Sequence, residues 1–227
     1  GRTVSHVLVT HTHRDHAPLA LPFAEKTGAV VLSARPPIRE THASGALDEE
    51  EDPDFAPDVV LMGGEVIEGD GWTLEAIATP GHASNHVAYA LREENALFSG
   101  DHVMAWSTSI VAPPDGSMTD YMASLDKLRA RGEAIYWPGH GGPVKDPPRY
   151  LRALAHHRRL RESAILNRIA AGDTKISDMV ARIYENLDPR LKGAAALSVY
   201  AHIEDLVTRG VVGVDGPLSK DATFRKL

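Results

Sequence analysis

Apolar positions come in short runs along the first two thirds of the chain and at helical spacing in the last third. Val4, Val7, Leu8 and Val9 make residues 4–10 a buried strand. Residues 17–28 read as a helix closed by Gly28, and residues 29–34 as a second strand. Residues 35–58 are rich in Pro, Asp and Glu and read as a loop or lid. Two apolar runs around Gly63-Gly64 predict a hairpin, followed by a third strand ending at Pro80-Gly81. Another strand pair turns at Glu93–Asn95. Tyr121, Leu125 and Leu128 give residues 118–132 helical spacing, and residues 134–142 form a strand broken at Pro138.

Pro147-Pro148 opens a long helix to about Ala171, whose Leu151, Leu154, Ile165 and Ile169 share one face. Arg158 and Glu162 fall on that face four residues apart and read as an ion pair at a domain junction, with a substrate-facing role as the alternative. Two shorter helical patterns follow Gly172. The first is Ile176, Met179, Val180 and Ile183; the second runs from Ala196 to Val207. Residues 210–217 read as a small β-wing, so the tail is winged-helix-like. The outer face of its second helix offers Ser198, His202, Glu204, Asp205 and Arg209. That is poor in the cations phosphate contacts require, so sequence-specific DNA binding is not expected. The predicted organisation is a catalytic domain over 1–146 and a long helix with a winged-helix-like domain over 147–227.

Composition adds three constraints. No apolar run approaches the ~18 residues a membrane span needs. The chain has no cysteine, which excludes disulfides, thiolate metal ligands and a cysteine nucleophile, and fits a cytoplasmic protein. The net charge of −7 divides into −11 over residues 1–145 and +4 over residues 146–227. The acidic run 47–54 reads as a solvated loop, and the basic tail points weakly to an anionic partner.

The chemistry lies in the histidines. His11, His13, Asp15 and His16 fall within six positions, immediately after the first strand. Such crowding is unfavourable unless a cation holds the group together. In extended chain His11 and His13 project the same way and can grip one divalent ion, while Asp15 and His16 turn elsewhere and can serve a second. His82, Asp101 and His140 each follow a strand and a glycine that lets the chain turn. His86 sits close enough to support a ligand through a hydrogen bond. His102 either points away or meets substrate. Trp106, Ser107, Thr108 and Tyr121 line a pocket or simply pack. His6, His42, His156, His157 and His202 read as structural or surface residues.

His11-Thr12-His13-Arg14-Asp15-His16, followed in order by His82, Asp101 and His140, resembles the ligand set of the metallo-β-lactamase-fold hydrolases. The resemblance implies a four-layer αββα sandwich with the site at one edge. It implies two divalent metal ions, zinc by expectation with iron or manganese as alternatives. His11, His13 and His82 would hold one ion, Asp15, His16 and His140 the other, and Asp101 would bridge them. It also implies about two strands ahead of the first motif, where only about ten residues stand. The catalytic domain is therefore expected to be N-terminally truncated, with an exposed, aggregation-prone sheet edge if those strands are truly absent. Residues 98–125, 136–144 and 157–163, with the winged-helix tail, are similar to the subgroup around β-lactamase-like protein 2. That subgroup includes an endoribonuclease acting on single-stranded RNA.

What the resemblance implies is a hydrolase with a hydroxide shared by two metal ions as nucleophile. Asp101 would hold the bridge, Asp15 would orient the nucleophile and accept its proton, and the leaving group would be stabilised by the second ion or protonated by a nearby histidine such as His86. The expected substrate is a phosphodiester, as in single-stranded RNA. Alternatives are a small-molecule ester or thioester, as in the hydroxyacylglutathione hydrolases, and a non-hydrolytic metal-binding or redox role. With no cysteine among the ligands, a lactam substrate is not expected.

Overall fold

The computed structural model describes residues 3–36 and 55–227, so most of the predicted lid, including His42 and the acidic run 47–54, lies outside the described residues. Strands β1 (His6–Leu8), β2 (Val30–Ser33) and β3 (Val59–Val60) form a parallel sheet in that order, and helix α1 (Ala20–Thr27) crosses over from β1 to β2. Period-two alternation explains how this sheet is covered on both faces. Val7 and Val31 pack with Ala20 and Ala24 of α1, while Leu8 and Leu32 face the second sheet.

That sheet contains β4 (Val66–Gly69), β5 (Trp72–Ala78), β6 (Val87–Leu91), β7 (Ala96–Gly100) and β8 (Ile135–Pro138), in sequence order. All its pairs are antiparallel except β7 with β8, which are joined through helix α2 (Met118–Arg129). Leu74, Ala76, Val87 and Tyr89 fill the space between the sheets. Their chain neighbours Ile77, Ala88 and Ala90 point the other way, against Tyr121, Leu125 and Leu128 of α2 and against Leu151 and Leu154 of helix α3 (Pro147–Ala170). The order helix, sheet, sheet, helices is an αββα sandwich.

Two predicted details are corrected. Gly63-Gly64 is not a hairpin turn: it carries the chain from β3 in one sheet to β4 in the other, with the Glu65 carboxylate accepting the Met62 and Gly63 N–H groups at 2.7 and 2.8 Å. The hairpin falls at Asp70-Gly71, where Gly69 pairs with Trp72 and Gly71 has φ 77°. The wing is also longer than residues 210–217. Strand β9 (Val212–Asp215) pairs with β10 (Thr223–Lys226), a polar segment in which only Phe224 is buried.

Helix α3 starts at a proline behind the N-cap Asp146, whose carboxylate accepts the Arg149 N–H at 3.1 Å. Its first half belongs to the sandwich. Its second half gives Ile165 and Ile169 to a separate core with α4 (Ile176–Ile183), α5 (Lys192–Thr208) and the wing. No helix among the described residues is long and apolar enough to cross a membrane.

Candidate metal centre

The topology brings the candidate ligands to one edge. In an antiparallel run the end of β5, the start of β6 and the end of β7 lie at the same edge, and β8, parallel to β7, ends there too. Those positions deliver His82, His86, Asp101 and His140. The segment after β1 is tied to the same edge by Val87 N–H donating to Thr10 O at 2.7 Å and Tyr89 O–H donating to Val9 O at 2.7 Å. Beyond Thr10 the chain turns, with the N–H groups of His16 and Ala17 both meeting His13 O. Thr12 faces away between the two histidines, and its hydroxyl accepts from Asn85 Nδ2 at 2.6 Å, locking that turn to the His82 loop.

Glycines around the ligands serve two different needs. Gly81 has φ 135° and presses against the Tyr121 backbone, so only glycine suits both the conformation and the space. Gly139 has no such backbone. Its need is room, because a Cβ there would run into Asp101 Oδ1 and His16 Cε1.

All seven candidate ligands converge. One group is His11, His13 and His82; another is Asp15, His16 and His140; within each, the donor atoms lie within 4.8 Å of one another. Asp101 stands between them, with Oδ2 4.0 Å from His82 Nε2 and 3.4 Å from His140 Nε2, and Oδ1 3.6 Å from His16 Nε2. Asp15 Oδ2 lies 3.0 Å from His140 Nε2 and 3.4 Å from His16 Nε2. Asp15 is exposed at the mouth, whereas His11, His13, His82 and Asp101 are buried.

The donor atoms fit a cation. His82 Nδ1 donates to Ile110 O at 2.7 Å, so its Nε2 carries a free electron pair. That Nε2, His16 Nε2 and Asp101 Oδ1 are buried without a hydrogen-bond partner. Such atoms cost stability unless something satisfies them. Burial, helped by His86 and His82, holds His11 well below the ordinary histidine range, and burial with His82 brings His13 to about 4. Both are neutral donors at neutral pH. Burial opposes charge on His16, but the Asp101 and Asp15 carboxylates outweigh it and raise its pKa. At Asp101 burial is outweighed in turn by His16, and its pKa falls.

The other candidates sort by contact. His86 is fully buried with both nitrogens engaged: Nδ1 is 2.7 Å from Thr79 Oγ1, and Nε2 accepts the Asp101 N–H at 3.1 Å. It therefore stands behind Asp101, and the expected role of protonating a leaving group does not fit its place. His102 is buried in the core against Tyr121, ring centroids 4.5 Å apart, and Tyr121 donates its hydroxyl to His102 O, so neither lines an open pocket. Trp106 is 73% exposed beside Gly141, with Ser107 and Thr108 exposed next to it. His6 stacks edge-on against Trp72, His156 is exposed, and His202 is buried. The Arg158–Glu162 pair is replaced: Arg158 donates to Ser109 O, and Glu162 pairs with Arg209 at 2.7 Å. Arg158 points inward and Glu162 lies at the rim, a split that one helical face could not reveal. The supporting roles of Thr79, Asn85 and Ile110 O were not legible either, because each acts across the fold.

An αββα sandwich with seven imidazole and carboxylate groups gathered at one edge defines a class with a candidate metal centre. Residues 1–140 match the family model of the metallo-beta-lactamase superfamily, and residues 176–217 match the beta-lactamase associated winged helix domain. The chain belongs to the metallo-beta-lactamase superfamily. Among curated relatives, lactamase-like protein nscB of Aspergillus fumigatus is 34% identical over 167 residues, covering 73% of this chain and 44% of the relative. Lactamase-like protein adaB of Aspergillus niger is 30% identical over 168 residues, covering 73% and 46%. The chain thus spans less than half the length of these relatives. A crystal structure of a metallo-beta-lactamase family protein from Thermus thermophilus aligns with a TM-score of 0.78 and 25% identity, covering 99% of this chain and 80% of that one. A beta-lactamase domain protein from Burkholderia ambifaria aligns with a TM-score of 0.81 and 20% identity, covering 100% and 75%, and shares the fold.

Proposed function

We propose that this chain is a hydrolase holding two divalent metal ions, with His11, His13 and His82 on one, Asp15, His16 and His140 on the other, and Asp101 between them. The observation that carries this reading is the pair of donor groups sharing one edge with a carboxylate at 3.4–4.0 Å from members of both. A donor set of imidazoles and carboxylates suits zinc, and iron and manganese accept the same atoms. When bound, such ions supply an activated water and polarise the bond under attack.

The chain's own residues do the rest. Asp101, fixed through its N–H by His86, keeps the two donor groups in register. Asp15 is exposed, and its Oδ2 faces His140 and His16, which leaves Oδ1 to orient the attacking water and take its proton. With His86 engaged on both nitrogens, Asp15 Oδ1 is also the group placed to return that proton to the leaving group.

A phosphodiester in single-stranded RNA is the substrate we favour. The chain runs from His140 through Gly141 and Gly142 into a cavity of about 330 Å³ lined by Pro143, Lys145, Asp146, Arg149 and Tyr150, where Asp146 also caps α3. Arg149, Arg152 and Arg159 continue from it along one exposed face of α3, and no acidic residue occurs between 147 and 161. A cationic track leading away from a hydrolytic centre suits a phosphate backbone. Labelled single-stranded RNA is expected to be cut by the wild type and not by Asp15→Ala. Reversing Arg152 and Arg159 to Glu should raise KM for RNA and leave kcat as it was. Equal cleavage by wild type and Asp15→Ala would remove the reading. The balance of −11 over residues 1–145 favours a second one, a small ester or thioester. Hydrolysis of acyl-thioesters without RNA cleavage would select it.

A further inference from the structure

Arg158 lies on the inner face of α3, 3% exposed, and has no carboxylate partner among the described residues. Its guanidinium sits 4.7 Å over the Tyr121 ring and donates through Nη2 to Ser109 O, while Nε has no partner. A guanidinium buried on those terms is costly, so what it holds is informative. The carbonyl of the next residue, Ile110, is the acceptor for His82 Nδ1–H at 2.7 Å. Ser109 Oγ donates to His102 O at 3.0 Å, and the Tyr121 hydroxyl donates to the same carbonyl at 3.1 Å. Arg158 thus grips the short segment that orients His82 on one side and braces the residue after Asp101 on the other.

We propose that Arg158 is a positioning residue for the metal centre. It fixes Ser109 and Ile110 so that the Ile110 carbonyl holds His82 in the tautomer whose Nε2 faces the ion. Partners of this kind set ring orientation and ligand basicity, and their loss typically weakens metal binding 10–100-fold. Arg158 acts most directly on the group of His11, His13 and His82; its path toward His16 and His140 is longer and runs only through His102 and Asp101. Because the same helix gives Ile165 and Ile169 to the C-terminal core, the metal centre is anchored to the winged helix domain through one rigid element.

This inference rests on the two-ion reading, and the test separates the two. The full chain, stripped of metal, is titrated with cobalt(II) and followed by visible absorption, and zinc affinity is measured by competition with a chelator. Wild type is expected to take up two ions. Arg158→Met should weaken one of the two binding steps by about 10–100-fold and the other by clearly less. Arg158→Lys keeps a charged donor but loses the flat stack on Tyr121, and should show the same selective loss at a few-fold. Glu162→Gln, which touches only the Arg209 pair, should leave both steps as in wild type. Wild-type affinities in a folded Arg158→Met protein, or equal weakening of both steps, would overturn the inference. Should Arg158→Met fail to fold, Arg158→Lys decides: a selective loss supports the inference and unchanged affinities overturn it. Wild type binding fewer than two ions overturns the two-ion reading itself, and this inference with it.

Discussion

Among the described residues, imidazole nitrogens without hydrogen-bond partners are buried in two places. At the open edge His16 and His82 each leave one such atom; deeper in, against α2, α3 and α5, His102 and His202 each leave both and His157 leaves one. Their surroundings have opposite sign. At the edge the carboxylates of Asp15 and Asp101 raise the pKa of His16, an environment that attracts cations. Burial, with Arg158, Arg161, His157 and Arg209 around it, brings His202 down to about 3, an environment that repels them. An unpartnered buried histidine is therefore not by itself a metal ligand. The charge of its neighbours decides, and among the described residues only the edge cluster combines free electron pairs with nearby negative charge.

Leucine in place of each kind of histidine sharpens the contrast. His82→Leu is expected to lower hydrolysis by roughly a thousandfold, the scale of losing several kcal/mol of metal-dependent stabilisation. The metal-free protein should at the same time change little in stability, because relief of the unpartnered Nε2 is offset by loss of the Nδ1–H bond to Ile110 O. Activity assays beside thermal melts in chelator check both halves; retained activity would break the comparison.

His202→Leu should leave hydrolysis unchanged and alter stability with pH. The folded pKa of His202 lies below its unfolded value, so between about pH 6.5 and 3 the unfolded chain binds a proton the folded chain does not. Wild type therefore loses stability as pH falls through that window, by about 2 kcal/mol at pH 5 from this residue. The variant should lose that much less between pH 7.5 and 5, read from denaturant unfolding at both values. Equal losses would mean that His202 is protonated in the fold.

The edge cluster was legible in the sequence because its ligands sit at strand ends in short local patterns, His11 to His16 most of all. The sandwich followed from the same resemblance, and short apolar strands such as Val87–Leu91 only agreed with it. Less could be read where an assignment depends on what lies across the fold. Gly63-Gly64 has turn composition whether it closes a hairpin or links two sheets. The second wing strand is polar but for Phe224. Arg158 and Glu162 share a helical face by spacing, yet one is drawn inward by Ser109 O and the Tyr121 ring while the other stays at the rim with Arg209. His86 is near the ligands in sequence, but its engagement on both nitrogens emerges only once β7 lies beside β6.

The central claim is that two ions bind at the edge of the sandwich and that hydrolysis depends on them. Metal content per chain, measured by elemental analysis alongside activity before and after exhaustive chelation, tests it most directly. The account predicts two divalent ions per chain, activity lost on chelation, and activity restored by adding the metal back. A chain that carries no metal, or one whose activity survives complete chelation unchanged, would contradict it.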